Sequence, residues 1–218
     1  MQSGHAAIMS GMPMRGYQTV FRSGPEDPLT EWINERVRAI RLCLESGLPE
    51  PAITLIYSGI DTIGLLDAPA DQLDANKDSF IEWSERYIVP SLRAIDGEQV
   101  AALDLYSARC GILHVSSPIS KLAREGEARE IWYKSSKGTG GHPLALPNRK
   151  ELPLFVEMEM LEGAFRDGCD RFLSDLTAEQ VRFKKVIERA KQLLVWGIGS
   201  IMSDADVDAY LAARRTKQ

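Results

Sequence analysis

The chain has 218 residues, enough for one substantial core with room for an appendage. Hydrophobic residues make up 44% of it, which argues against wholesale disorder. A net charge of −5 gives no global attraction to nucleic acid or to an anionic membrane, so any RNA contact has to come from a local basic patch.

Residues 1–28 read as a flexible tail, since positions 1–24 carry four Met and four Gly with no periodicity. A first helix is predicted over Thr30–Ser46, preceded by Pro28 and stopped by Gly47. Pro49 and Pro51 open a second over Ala52–Leu66, whose stripe is Ile53, Ile56, Ile60 and Ile63. A third spans Asp78–Val89, with Phe80, Trp83 and Tyr87 on one face and Pro90 as its end. Asp96 and Gln99 form a plausible capping box for a fourth helix. Its stripe would be Val100, Leu103, Tyr106, Cys110 and Leu113, and Ser116-Ser117-Pro118 would stop it.

A short polar helix over Ser120–Arg129 comes next, then an extended segment, Glu130–Lys134, rich in strand formers. Gly138-Thr-Gly-Gly141 and three prolines make a loop to Pro153, with His142 as an exposed loop residue. The loop lacks the Gly-Lys-Ser/Thr ending of a nucleotide-binding loop. Two long helices follow, Leu154–Leu176 and one capped by Thr177 and Gln180 that runs to Trp196. A short final helix is expected near Asp204–Arg214. The expected class is all-α, an antiparallel helical bundle over residues 29–196 with a short extended and loop insertion, and 197–218 as a tail.

No apolar run reaches membrane-span length, and the N-terminus lacks a signal-peptide pattern. Cys43, Cys110 and Cys169 are odd in number and widely spaced, with no CxxC. A reducing cytoplasm fits best, with no disulfide framework and no zinc site. No cofactor is expected.

The fourth helix carries the chemistry, in Arg109-Cys-Gly-Ile-Leu-His114. A neutral imidazole can take the proton of a ribose 2′-hydroxyl, and a guanidinium can stabilise charge developing on the phosphate. On an unbroken helix five residues turn about 500° and rise about 7.5 Å, which sets the two on opposite edges of the stripe. Either the helix loosens at Gly111, or a twofold partner brings a second motif alongside; the second is the arrangement we expect. The alternative is structural, with Arg109 paired to a buried carboxylate and His114 capping the helix C-terminus.

Tyr57 and Asp61 lie four apart on one edge of the second helix. Asp61 borders the isoleucines and should need a partner, with Arg109 the candidate. It is either an orienting carboxylate or half of a structural ion pair, and Asp104 has the same two readings. Tyr106, one turn before Arg109, is a candidate lining residue. Lys121 and Arg124, with Arg129, Lys134 and Lys137, form either a phosphate-holding rim or a solvated face balanced by Glu125, Glu127 and Glu130. The charged face at Arg182, Lys184, Lys185, Glu188, Arg189 and Lys191 is either solvated or a docking surface for protein or RNA.

Around this motif the chain resembles the HEPN superfamily, helical domains of toxin–antitoxin, abortive-infection and CRISPR-associated systems and of some eukaryotic proteins. The resemblance rests on an Arg followed four to six residues later by His near the end of a late bundle helix. Ile56-Tyr-Ser-Gly-Ile-Asp61 and Asp104-Leu-Tyr-Ser-Ala add to it. It covers about residues 30–130. It implies a homodimer with the motif helices at the interface, an antitoxin or other protein as partner, and, in active members, a metal-independent endoribonuclease. Arg109 and His114 carry over as catalytic; Tyr57, Asp61, Asp104 and Tyr106 as supporting residues, and Lys121 and Arg124 as RNA-binding ones, are candidates from the residues themselves. Active members often have a polar residue after the arginine, where this chain has Cys110. That departure favours the alternative, a catalytically silent module binding RNA, a nucleotide or a protein. A third option is a plain structural dimer.

Overall fold

The computed structural model describes residues 27–115, 119–135 and 152–194. The expected N-terminal tail up to residue 26, the Ser116–Pro118 stop, Lys137, the glycine loop with His142, Trp196 and the helix near 204–214 lie outside the described residues.

The fold is predominantly helical. Seven α-helices, α1 (Pro28–Glu45), α2 (Pro49–Asp67), α3 (Lys77–Tyr87), α4 (Ala102–Val115), α5 (Lys121–Glu125), α6 (Met158–Ala178) and α7 (Gln180–Leu193), are accompanied by one small sheet among the described residues. That sheet pairs β1 (Ile131–Lys134) with β2 (Leu154–Glu157) in parallel, Ile131 opposite Leu154.

The local signals explain most helix starts. Asp27 caps α1 by accepting from the backbone N–H groups of Leu29 and Thr30, so the helix begins at Pro28, inside the expected tail. Asn76 and Ser79 make a reciprocal capping box for α3.

α2 is the centre of the bundle and packs on α1, α3, α4, α6 and α7. Ile56, Ile60 and Ile63 are fully buried, and Ile53 nearly so. Gly64 lets α3 come close: a Cβ there would stand 2.7 Å from the Ser79 carbonyl oxygen. The aromatic face of α3, Phe80, Trp83 and Tyr87, is buried as expected and meets Phe172 of α6.

Three expectations are corrected. The Asp96–Gln99 box does not start α4. Asp96 accepts instead from the Glu98 N–H, and Gly97 (φ +89°) completes a tight turn in which Arg93 pairs with Gln99. The helix begins at Ala102, where Asp104 reaches back to the Ala101 N–H. The buried face of α4 is consequently turned by about one residue. Ala102, Leu105, Ala108 and Gly111 are buried, whereas Leu103, Tyr106, Cys110 and Leu113 are only half-buried.

Second, Leu154–Glu157 is a strand rather than the first turn of α6, with burial alternating along it. Third, Thr177 lies inside α6 and its hydroxyl donates to the Ser174 carbonyl, so no capping box opens α7. A single residue, Glu179, separates the two helices.

Among the described residues no helix is long and apolar enough to cross a membrane. The three cysteines are free thiols.

Candidate functional site

The burial of α2 leaves one strip half-buried, formed by Leu55, Ser58, Asp61, Thr62 and Leu65. Their three- and four-residue spacing puts them on one face of the helix. Asp61 is met there by Arg109 of α4, whose Nε and Nη2 donate to its Oδ2 at 2.8 and 2.7 Å. The two side chains keep 19% and 14% of their surface, so the pair is sheltered but open to solvent at one edge. The pairing expected for Asp61 is therefore present.

Arg109 Nη1 lies 3.4 Å from His114 Nε2 in the same subunit. This corrects the expectation that an unbroken helix keeps the two apart. α4 is continuous through Gly111 to Val115, yet the arginine side chain is long enough to lie along the helix surface and reach the imidazole. Arginine has only donors, so a hydrogen bond at this contact uses Nε2 as its acceptor, the role that nitrogen has in the tautomer with its proton on Nδ1. His114 is exposed.

The electrostatics follow from this packing. Burial pushes the Asp61 carboxyl above its ordinary range, opposed by the Arg109 guanidinium and, more weakly, by His114. Burial works against the Arg109 charge, but Asp61 outweighs it and holds the guanidinium above its ordinary value. The Tyr106 ring lies 5.9 Å from the Arg109 guanidinium carbon and packs edge-on against Phe80. Cys110 helps to hold both the Tyr106 phenol and the Arg109 guanidinium above their ordinary values. Tyr106 thus lies beside Arg109.

Other expected residues lie elsewhere. Tyr57 is fully buried, and its hydroxyl meets that of Tyr133 on β1, so it fastens the strand to α2 and does not touch Arg109. Asp104 is also buried. It caps α4 and accepts from the Arg129 backbone at 2.8 Å and its guanidinium at 3.1 Å, a structural use that fixes the chain before β1. Arg129 is spent on Asp104, Glu98 and the Gln99 carbonyl. Lys134 pairs with Glu157. Lys121 and Arg124 remain exposed on α5; Lys121 stands 3.7 Å from Glu125 and Arg124 donates to the Ile119 carbonyl.

The charged face of α7 divides: Lys184, Glu188 and Lys191 are exposed, whereas Arg182, Lys185 and Arg189 turn onto α2. Arg182 holds both carboxylate oxygens of Asp67 at 2.7 Å and the Tyr87 hydroxyl at 2.9 Å. Lys185 donates to the carbonyls of Asp67 and Ala68, and Arg189 to those of Ala68, Pro69 and Gln72. Together they close the C-terminus of α2, where unsatisfied carbonyls favour cations.

A cation that the sequence did not single out also reaches the α2 strip. Arg36 of α1 donates to the Ser58 hydroxyl at 3.0 Å and lies over the Trp32 ring at 4.7 Å. The four-residue Trp32–Arg36 spacing was the available signal. Among the described residues, no three His, Cys, Asp or Glu side chains gather in a way that could hold a metal ion.

Comparison of the chain with protein-family models gave no match, and comparison with curated proteins and with solved structures gave none either.

Proposed function

We propose that this chain is an HEPN-like homodimeric protein of the cytoplasm that cuts RNA without a metal ion, using Arg109 and His114. The observation that supports the reading most is the 3.4 Å approach of guanidinium and imidazole, with Asp61 fixing the arginine from behind. In this mechanism the Nε2 lone pair of His114 takes the 2′-hydroxyl proton and the 2′-oxygen attacks the adjacent phosphorus. Arg109 stabilises the charge on the non-bridging oxygens. The bond to the 5′-oxygen breaks, and that oxygen takes a proton back from the imidazolium. The products are a 2′,3′-cyclic phosphate and a free 5′-hydroxyl. Asp61 and Tyr106 position the guanidinium. Leu103, Tyr106, Cys110 and Leu113, half-buried along α4, offer an apolar edge to a second copy beside the site.

A silent module that binds RNA, a nucleotide or a protein partner, such as an antitoxin, is the second reading. It is favoured by Cys110, a weak donor packed beside Arg109 where a stronger polar group would assist catalysis.

The test is incubation of end-labelled RNA with the protein in EDTA, with His114→Ala in parallel. The nuclease reading expects cyclic-phosphate ends from the wild type and their loss in the variant. Cutting that is equal in both, or absent in both, supports the silent module instead.

A further inference from the structure

Among the described residues, the half-buried arginines other than Arg36 are either paired with a carboxylate or held by two or more backbone carbonyls. Arg41, Arg109, Arg129, Arg166 and Arg182 each have a carboxylate within 4 Å. Arg93 and Arg189 are held by backbone carbonyls. Arg36 is also half-buried, yet its contacts are a neutral hydroxyl, Ser58, and the face of Trp32. Neither supplies a counter-charge. Burial accordingly holds its guanidinium below the ordinary arginine value, with no anion to offset the loss of solvent.

The position of Arg36 gives that surplus charge a use. Ser58 and Asp61 are three residues apart on the same face of α2, a rise of about 4.5 Å along the helix. Arg36 comes to this strip from α1 and Arg109 comes to it from α4, and both helices pack on α2. Ser58 donates its own hydroxyl to the Leu55 carbonyl, so its oxygen is turned to accept from Arg36 and fixes the guanidinium in place. Stacking on Trp32 restricts it further. A pre-oriented fork of donors without a counter-ion is an arrangement suited to a phosphodiester. Both guanidiniums thus reach the same face of α2, at positions one helical turn apart.

We infer that Arg36 is a substrate-binding residue, which holds the phosphodiester next to the one seated at Arg109 and His114 and so selects a single-stranded RNA segment lying across α2. The inference rests on the reading of this face as the RNA-binding one, and does not require that the RNA be cut.

The experiment measures binding of a short 2′-O-methylated oligoribonucleotide, which cannot be cleaved through its 2′-oxygen, to the full-length protein over a series of salt concentrations. Arg36→Gln should weaken binding about tenfold at low salt, the loss of one charge-assisted contact. It should also lower the dependence of log affinity on log salt by about one. Arg36→Lys should keep the salt dependence and recover part of the affinity, since it restores the charge without the planar fork. A thermal melt of each variant separates binding from folding. Wild-type affinity and salt dependence in Arg36→Gln overturn the inference, whatever the melt shows, and so does a wild type that does not bind the oligonucleotide. Binding that depends on Arg36, by a protein that leaves unmodified RNA uncut, sustains the inference and defeats only the nuclease reading.

Discussion

α2 carries basic side chains of other helices at two places, and the two differ in what those cations have left to offer. At its C-terminus, Arg182, Lys185 and Arg189 of α7 are satisfied by the Asp67 carboxylate and by the carbonyls of Asp67, Ala68, Pro69 and Gln72. On its half-buried strip, Arg36 meets only a hydroxyl and a ring, and Arg109, though paired with Asp61, also reaches the exposed His114. The α7 run is the denser cluster in the sequence, yet Arg182, Lys185 and Arg189 are consumed by the fold and only Lys184 and Lys191 stay exposed. Basic residues mark a ligand site by the charge left over after the protein's own acceptors have been served, which a count along the chain does not measure.

Substitutions at the two places should therefore separate activity from stability. The largest effect is expected from His114→Ala, which should reduce RNA cleavage by about a hundredfold or more, the usual contribution of a general base. Because the side chain is exposed, its urea midpoint should stay within about 0.5 kcal/mol of wild type in free-energy terms. Arg182→Ala should do the reverse. It strips the sheltered Asp67 of its partner and should destabilise the fold by about 3 kcal/mol in urea titrations, with oligonucleotide affinity of the folded protein unchanged. RNA affinity lost specifically on Arg182→Ala would place binding at the wrong end of α2.

Gly64→Ala comes next. Its methyl group would meet the Ser79 backbone and force α3 outward, at a cost of about 2 kcal/mol measurable by thermal denaturation.

The smallest effect is at Tyr57. Burial pushes the phenols of Tyr57 and Tyr133 above their ordinary value of 10. The folded state holds these protons more tightly than the unfolded one. Their contribution to stability is therefore fully present below pH 10 and is lost as pH rises toward the folded values. Tyr57→Phe should cost about 1 kcal/mol at neutral pH, because it leaves the Tyr133 hydroxyl without its partner. It should also flatten the decline in stability above pH 10, as followed by urea titration at several pH values. An unchanged slope would mean that the Tyr57 hydroxyl is not sequestered.

The helices around the site were legible because their stripes are local. Ile53, Ile56, Ile60 and Ile63 announce α2 at helical spacing, and a carboxylate beside such a stripe needs a partner, which is how Asp61 pointed to Arg109. β2 was not legible. Leu154-Phe155-Val156 suits strand or helix equally, and its partner, β1, lies some twenty residues earlier. The start of α4 was misplaced because Asp96 and Gln99 have capping-box spacing, while the backbone at Gly97 turns into the left-handed region. The approach of Arg109 to His114 was missed because the angle between two helix positions describes where side chains begin, not how far an arginine extends. Arg36 left only one local trace, its four-residue spacing from Trp32; its significance lies in a carboxylate that the folded chain does not place beside it.

That the guanidinium and the imidazole belong to one subunit is the central claim, and mixing two defective proteins tests it most directly. Arg109→Ala and His114→Ala would be co-refolded into mixed dimers and assayed for RNA cleavage in EDTA beside the wild type. With both groups in one subunit every site in the mixture lacks one of them, and cleavage should stay at the level of the separate variants. Recovery of a substantial share of wild-type cleavage would mean that each site takes its arginine from one copy and its histidine from the other, and would contradict the account.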